Sequence, residues 1–173
     1  MQQVYVGVAS NVQRENSIRA GLTLLHERFG ALNVSPVYES HAYGIHAPAF
    51  FNLAVAFDVS CGPLDLKLQM REIEAICGRV RGPMATAART LDLDLLLYGE
   101  RMIDKTLNLP HAEITKFAFV LRPLADLSGS LQHPLTGLSL DEMWTRFDAL
   151  NHPIWQVPFD IPDFNQPFMA ADF

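Results

Sequence analysis

The order of the predicted elements indicates an α+β fold of the ferredoxin-like type, a sandwich in which helices pack on an antiparallel sheet. Short runs in which apolar residues occupy alternate positions predict strands, and apolar residues spaced by three or four positions predict helices. In chain order these segments give β-α-β-β-α-β followed by more helix. The 173 residues fit one domain, and 49% apolar residues suffice to fill its core.

The first half of the chain supplies a strand, a helix and two further strand segments. Alternating valines mark the first strand, at Val4, Val6 and Val8. A helical stripe ended by Gly30 follows, at Ile18, Leu22, Leu25 and Phe29. The run 32–38 contains Ser35-Pro36 and is therefore expected at a sheet edge or a bulge. After a loop, residues 51–59 have a strong strand pattern.

The second half begins with a helix that Pro63 opens. Its core stripe is Leu66, Met70, Ile73 and Cys77. A loop at 78–88 leads to the most apolar strand, 90–98, and residues 116–127 are predicted to be helical with an interruption near Pro123. A capping box, Ser139 to Glu142, starts the last helix. We expect a domain over 1–150 and an irregular Pro/Phe-rich tail over 151–173.

Composition narrows the class of function. The net charge of −6 argues against a nucleic-acid groove, which requires a basic face. No apolar window is long enough for a membrane span, and the N-terminus lacks a signal-peptide pattern. Cys61 and Cys77 are too few for a disulfide framework or a zinc site. We therefore expect a cytoplasmic protein that acts on small molecules, without nucleic-acid or membrane partners; monomer and dimer both stay open.

Two carboxylates lie close together in the strand 90–98. Side chains alternate along a strand, so Asp92 and Asp94 are expected on one face and the neighbouring leucines on the other. Adjacent carboxylates repel each other, and a divalent cation offsets the repulsion. Oxygen ligands without a thiolate favour magnesium over zinc. The alternative is a pair of aspartates that simply faces solvent on a half-buried sheet.

Three arginines flank the loop before this strand, at Arg79, Arg81 and Arg89. In a chain of net negative charge they form a local basic group, and guanidinium groups match phosphate oxygens in a bidentate manner. Carboxylates that hold a metal next to arginines are the parts of a phosphoryl-transfer site. Ordinary surface ion pairs are the alternative.

Several segments together identify a family. The run from Arg89 to Gly99 reads R-T-L-D-L-D-L-L-L-Y-G. Five shorter segments accompany it, namely Ala9-Ser10-Asn11, Phe50-Phe51-Asn52, Gly78-Arg79-Val80-Arg81, Leu109-Pro110-His111 and 119–124. In this order, and over about residues 4–150, the chain resembles the 6-hydroxymethyl-7,8-dihydropterin pyrophosphokinase family of the folate pathway.

The resemblance implies an ATP-dependent pyrophosphokinase, a transferase that moves the terminal pyrophosphoryl group of ATP to the hydroxymethyl oxygen of the pterin and releases AMP. It implies Mg²⁺, with two ions expected, held by Asp92 and Asp94, and ATP as co-substrate. The implied catalytic residues are Arg79, Arg89, Asp92, Asp94 and His111. The implied nucleotide-binding residues are Arg79, Arg81, Arg89, Leu95, Leu107 and His111. The implied pterin-binding residues are Ser40, Tyr43, Gly44, Phe50, Asn52 and Phe119, with Phe50 and Phe119 sandwiching the ring.

Departures from the family pattern concentrate at the nucleotide end. Ala85-Thr86-Ala87-Ala88 replaces a loop that usually carries a tryptophan and an arginine. Gly82, Ala112 and Phe117 stand where a basic residue, a tyrosine and an arginine are common. We therefore expect loose ATP binding and slow turnover. Phe117→Arg would restore a cation if position 117 faces the nucleotide; otherwise Phe117 belongs to the core and Lys116 supplies the charge.

Two other functions remain open on the sequence alone. One is a relative that binds pterin or nucleotide with little catalysis, and the other is a pyrophosphokinase for a modified pterin. The retained aspartate pair favours an enzyme, whereas the altered loop favours the other two functions.

Overall fold

A six-stranded antiparallel sheet organises the molecule. The computed structural model describes residues 1–82, 87–100 and 103–166. The strands are β1 (Gln2–Ser10), β2 (Asn33–Val34), β3 (Val37–Ser40), β4 (Phe50–Val59), β5 (Asp92–Tyr98) and β6 (Ile154–Val157). Their order is β5-β1-β4-β3-β6, and β2 pairs with β4 beside β3. The predicted α+β class and the β-α-β-β-α-β order are confirmed. The second predicted strand run, 32–38, is interrupted at Ser35-Pro36 and forms β2 and β3, which both pair with β4.

The helices are α1 (Arg14–Phe29), α2 (Pro63–Ile76), α3 (Ala118–Ser128) and α4 (Leu140–Thr145), with 3-10 turns at Ala112–Thr115 and Ala149–Asn151. The capping box at Ser139 and Glu142 is present in full. The predicted interruption near Pro123 is wrong, because α3 continues through this residue. Pro123 is buried, and burial of its ring offsets the loss of one backbone hydrogen bond. Among the described residues, no helix has the length and apolar content needed to cross a bilayer.

The sheet has a hydrophobic core on each face. On one face α1 and α2 cover Leu93 and Leu95 of β5 and the valines of β1. On the other face α3 and α4 cover Tyr5, Ala54, Ala56 and Leu96. The second face is only partly covered, because α3 reaches one end of the sheet and leaves the other end for the site described below.

A bulge in β5 changes which side chains face each core. Tyr5 pairs with Leu97 while Val6 pairs with Leu95, so Leu96 is an extra residue. Leu96 and Leu97 therefore both pack under α3, and Tyr98 returns to the other core, where its hydroxyl donates to the Cys61 carbonyl at 2.6 Å. The bulge lies after Asp94, so it leaves the register of the aspartate pair intact.

The segment after residue 150 is more ordered than the predicted irregular tail. Its β-branched residues form β6, which pairs with β3 along Ser40↔Ile154 and Val37↔Val157. Phe164 is buried in the core beside α1, and its carbonyl accepts the Leu32 N–H at 2.8 Å. The irregular prediction is therefore wrong for Ile154–Val157. Residues 167–173 of the predicted tail lie outside the described residues.

Candidate active site

Two carboxylates of β5 lie side by side at the uncovered end of the sheet. Asp92 pairs with Ala9 of β1, and Asp94 pairs with Gly7. Leu91, Leu93 and Leu95 point into the opposite core, as the alternation predicts. The two aspartate side chains are 27% and 49% exposed, so both are open to a ligand.

Three arginines gather at Asp92. Arg79 Nη2 lies 3.4 Å from Asp92 Oδ1, and Arg81 Nη2 lies 3.9 Å from the same oxygen. Arg89 Nε lies 4.0 Å from Asp92 Oδ2. The basic group and the acidic pair of the sequence thus form a single cluster. Such a cluster offers guanidinium donors for phosphate oxygens next to carboxylate oxygens for a metal.

The turn after β1 holds the chain from which Arg89 projects. Asn11 Oδ1 accepts the Arg89 N–H at 2.6 Å, and Asn11 Nδ2 donates to the Ala87 carbonyl at 3.0 Å. The Asn11 N–H donates to the Arg89 carbonyl at 2.9 Å. Because Asn11 is buried, these bonds fix the backbone that enters β5. The Ser10-Asn11 pair therefore positions Arg89.

Glu74 of α2 is a site residue that the sequence patterns did not single out. Its side chain is 1% exposed. One carboxylate oxygen accepts the Leu93 N–H at 2.8 Å, between the two aspartates, and the other pairs with Arg81. Glu74 thus ties the acidic strand to the arginine loop. A signal was present, because Glu74 lies four positions after Met70, on the apolar stripe of α2.

His111 approaches Asp94 from the turn that follows β5. Its N–H donates to the Leu96 carbonyl at 2.8 Å, which fixes the turn beside the strand. His111 Nδ1 accepts the Glu113 N–H at 3.4 Å, so the proton of the neutral ring is assigned to Nε2. Nε2 lies 4.0 Å from Asp94 Oδ1. Burial lowers the pKa of His111, so the ring is a neutral donor directed at the acidic pair.

Asp94 lies in an electrostatically unfavourable place. Partial desolvation of the half-exposed carboxylate, followed by the negative charges of Asp92 and Glu74, raises its pKa to about 6. Lys67 of α2 acts in the opposite direction, and its Nζ donates to the Leu107 carbonyl at 3.1 Å. No sequence pattern distinguishes Lys67 from the other polar residues on α2. A cation bound between the carboxylates would relieve their repulsion.

The two leucines predicted around the nucleotide direct their side chains into or against the core and not toward the aspartates. Leu95 is buried in the core under α1 and α2, on the face opposite the aspartates. Only its backbone atoms can reach a ligand on the aspartate side. Leu107 packs partly against the same core, and its carbonyl is held by Lys67.

The predicted pterin residues of β3 and β4 lie on the aspartate face. Asn52 is opposite Ala9, which is itself opposite Asp92, so these three residues form one row across the sheet. Asn52 Nδ2 donates to Ser40 Oγ at 3.0 Å, and both side chains are buried. Within the described residues no hydrogen bond reaches Asn52 Oδ1, so this acceptor remains for a ligand. Phe50 makes no ring contact with another described aromatic residue.

An aromatic cluster borders the pterin residues. It consists of Tyr43, Phe117, Phe119 and His152. Phe117 and Phe119 stack with their centroids 5.0 Å apart, and Tyr43 lies 5.8 Å from each of them. Gly44, directly after Tyr43, has φ of +72°, a conformation that favours glycine at this turn.

Phe117 therefore packs against other rings, but it is only half-buried and belongs to neither hydrophobic core, so it is not the core residue of the second alternative. An arginine at this position would lose the stacking on Phe119. Lys116 beside it is exposed. Thr86, the other altered position of the nucleotide loop, lies outside the described residues.

Comparisons with known proteins agree on one family. A family model described as 7,8-dihydro-6-hydroxymethylpterin-pyrophosphokinase matches residues 5–129. A Pseudomonas aeruginosa protein named 2-amino-4-hydroxy-6-hydroxymethyldihydropteridine pyrophosphokinase is 40% identical over 139 residues, covering 78% of this chain and 85% of that protein. A Bacillus subtilis protein of the same name is 30% identical over 165 residues, covering 92% of this chain and 94% of that protein.

Longer proteins contain a region similar to this chain. Folic acid synthesis protein fol1 of Pneumocystis carinii is 34% identical over 91% of this chain, which spans 22% of that protein. The crystal structure of wild-type Plasmodium falciparum HPPK-DHPS with STZ-DHP matches with a TM-score of 0.66 and 11% identity, covering 84% of this chain and 43% of that one. At that identity the structural match shows the fold alone.

Glu74→Ala should lower the free energy of unfolding by about 2 kcal/mol, because it leaves the buried Leu93 N–H without an acceptor and removes the partner of Arg81. Urea unfolding measures the change. Glu72→Ala is the matched control on the same helix, since Glu72 is exposed and its ion pair with Arg28 is at the surface. Its loss should stay below about 0.5 kcal/mol. Equal losses in the two variants would contradict the role of Glu74.

Asp94→Asn should stabilise the metal-free protein at neutral pH. Because the pKa of Asp94 rises from 3.8 to about 6 on folding, the unfolded chain releases its proton first, and stability falls as pH rises through this window. Allowing for solvent screening of a half-exposed carboxylate, we expect a gain of about 1 kcal/mol above this window. The gain should vanish below pH 3.8, where Asp94 is protonated in both the folded and the unfolded protein. Urea unfolding at both pH extremes, with exposed Asp58→Asn as control, tests this; a gain that is independent of pH would contradict it.

Proposed function

The chain belongs to the 7,8-dihydro-6-hydroxymethylpterin-pyrophosphokinase family, and we propose that the row from Asp92 to Asn52 is where it joins ATP to its pterin substrate. As a member of this family it is an ATP-dependent pyrophosphokinase of folate biosynthesis, which transfers pyrophosphate to hydroxymethyldihydropterin. The proposal concerns the residues that carry the reaction and the metal that assists it.

Asp92 and Asp94 fit magnesium as the metal. Their ligand atoms are all oxygen, and the two carboxylates lie side by side on one face of β5. Among the described residues no group of three or more His, Cys, Asp and Glu side chains could hold a metal ion. Magnesium commonly binds through one or two carboxylates together with substrate phosphates. Bound there, two magnesium ions would neutralise charge on the phosphates. We propose that the nucleotide supplies the remaining ligands.

The cations around Asp92 are suited to hold the phosphates. Arg79, Arg81 and Arg89 converge within 4.0 Å of one carboxylate, so phosphate oxygens at this point would meet several guanidinium donors. His111 Nε2–H adds a neutral donor on the Asp94 side. In the transfer the pterin hydroxymethyl oxygen bonds to the β-phosphorus, the bond from that phosphorus to the AMP oxygen breaks, and the hydroxyl proton passes to water. These residues act by positioning and by stabilising charge.

The β3–β4 end of the row is suited to hold the pterin. Asn52 Oδ1 is available to accept from the ring, and Ser40 holds the amide in place through Nδ2. Phe50 and Phe119 each offer an aromatic face, and Gly44 and Tyr43 belong to the bordering loop. Neighbouring strands lie about 4.8 Å apart, so Asn52 and Asp92 flank β1 at roughly 10 Å. Only the small residues Gly7 and Ala9 of β1 lie between, which leaves room for the reacting groups.

The row that joins Asp92, Ala9 and Asn52 across the sheet is the observation that carries this proposal. The experiment is incubation with Mg²⁺, ATP and 6-hydroxymethyl-7,8-dihydropterin while AMP is measured. AMP formation that requires all three supports the proposal. Binding of both substrates without AMP would favour a binding protein, and AMP formed only with a substituted pterin would favour a modified substrate.

Asp92→Ala and Asp94→Ala should each abolish turnover and leave the fold intact, because each removes a metal ligand from the sheet surface without cutting into the core. Activity assays and circular dichroism measure the two effects. Retention of more than a tenth of the activity corresponds to a loss below about 1.4 kcal/mol of transition-state stabilisation. Such a result in either variant would contradict the two-carboxylate metal site.

Asn52→Ala should weaken pterin binding by about 1–3 kcal/mol, the cost of leaving buried polar groups of the ring unpaired. ATP binding should stay nearly unchanged, since Asn52 lies on the far side of β1 from the aspartates. Calorimetry with each ligand measures both affinities. Equal loss for pterin and for a non-hydrolysable ATP analogue would indicate a folding defect and not a pterin contact.

Lys67→Met should raise the KM for ATP about fivefold, because Phe117 is engaged with other rings and Lys67 supplies positive charge beside Asp94 and His111. Methionine keeps the length of the side chain. Lys116→Met is the comparison, since Lys116 is the cation that the sequence offers as an alternative. If Lys116→Met raises this KM and Lys67→Met does not, the cation lies at position 116.

A further inference from the structure

The loop between β3 and β4 is held by rings from the C-terminal segment. Tyr43 of this loop stacks on His152, with centroids 5.5 Å apart and ring planes 23° from parallel. Earlier in the same loop, His41 meets the edge of Trp155 at 5.4 Å. Two aromatic contacts thus join residues 41–43 to residues 152–155.

Strand pairing explains why these segments meet. β3 leads into the loop, and β6 leads away from His152, so the antiparallel pair Ser40↔Ile154 brings the two segments together just beyond the ladder. The family match ends at residue 129. A segment outside the matched region therefore borders the loop that contains two of the proposed pterin residues, Tyr43 and Gly44.

Phe119 is the ring on which the cluster meets the proposed pterin residues. Both Tyr43 and Phe117 stack on Phe119. Their own centroids are 5.8 Å apart, so the three rings form one compact group. The aromatic cluster thus packs Phe119, one of the proposed pterin residues, against Tyr43 of the β3–β4 loop.

His152 contributes to the cluster as an aromatic ring. Besides Tyr43, it meets Phe117 at 6.1 Å and Phe147 at 5.3 Å, both edge to face. Its Nδ1 is buried and has no hydrogen-bond partner in the described part of the chain. His152 therefore makes three ring contacts, whereas its Nδ1 forms no hydrogen bond in the described part of the chain. We infer that its ring packing matters more than its polar atoms.

We propose that His152 is a positioning residue for the pterin site, which holds Tyr43 against Phe117 and Phe119 and so fixes the β3–β4 loop beside the pterin. This role rests on the proposed function. It assigns to the C-terminal segment a part in substrate affinity that acts on the pterin and not on ATP. The loop would then be pre-organised before substrate arrives, which reduces the ordering cost of binding.

The experiment compares pterin binding by the wild type, His152→Ala, His152→Phe and Leu150→Ala, with a non-hydrolysable ATP analogue and Mg²⁺ present. His152→Ala should raise the pterin Kd about fivefold, the scale of one lost ring pair, while the Kd of the ATP analogue changes less than about twofold. His152→Phe keeps the ring and should restore the wild-type Kd. Leu150→Ala is the matched control, because Leu150 is 95% exposed in the same segment.

Two further measurements separate loop positioning from general stability. Amide hydrogen exchange at 41–46 should be faster in His152→Ala than in the wild type and unchanged in Leu150→Ala. In a Tyr43→Leu background, His152→Ala should add less than about a twofold change in pterin Kd, because the stacked partner is already absent. If His152→Ala does not fold, His152→Leu replaces it, since leucine keeps apolar volume without a ring.

Wild-type pterin affinity in His152→Ala would overturn the proposal, as would failure of His152→Phe to restore binding or an equal loss for the ATP analogue. Absence of pterin binding by the wild type itself would overturn the proposed function and, with it, this role. Normal wild-type binding with insensitive variants would overturn the role of His152 alone.

Discussion

The pairing of β1 with β4 on one side and β5 on the other is the constraint on which the site depends. It places Asp92 and Asn52 in one row, with Ala9 between them. The leucines of β5 enforce this register, because a shift of one residue would turn the aspartates into the core and the leucines toward solvent. Burial of Leu91 and Leu93 under α1 and α2 therefore fixes the position of the carboxylates on the opposite face.

The negative charges of Asp92 and Asp94 are compensated to different extents. Asp92 is surrounded by arginines, whereas Asp94 has burial and two neighbouring carboxylates against it. Glu74 is one of these carboxylates, and it is also the acceptor that holds the Leu93 N–H. Glu74 thus positions strand β5 and at the same time disfavours the ionised form of Asp94 on that strand. The carboxylates thus lower the stability of the metal-free protein at the place that is proposed to bind a cation, a common relation between stability and function.

Local pattern was sufficient to predict most of the fold and the acidic strand. The alternation in 90–98 and the β-α-β-β-α-β order are visible in the sequence, because both follow from which face each residue buries. Glu74 and Lys67 were missed because a helix stripe shows which residues are near the core and not which strand amide or carbonyl they reach. β6 was missed because prolines surround a short strand whose formation depends on an available edge at β3.

The residue at position 117 shows how the proposed pterin end of the site differs from the proposed phosphate end. The family resemblance suggests a cation there, but in this chain the position carries a ring that stacks on Phe119 and contacts Tyr43. A side chain engaged in that cluster cannot also extend toward the phosphates. The aromatic cluster thus organises the pterin end with rings from three separate parts of the chain. In the proposed site, the charge at the phosphate end comes instead from Arg79, Arg81, Arg89 and Lys67. Asn11 holds the backbone of Arg89, Glu74 pairs with Arg81, and the Leu107 carbonyl accepts from Lys67, so each of these three cations is fixed by a contact of its own.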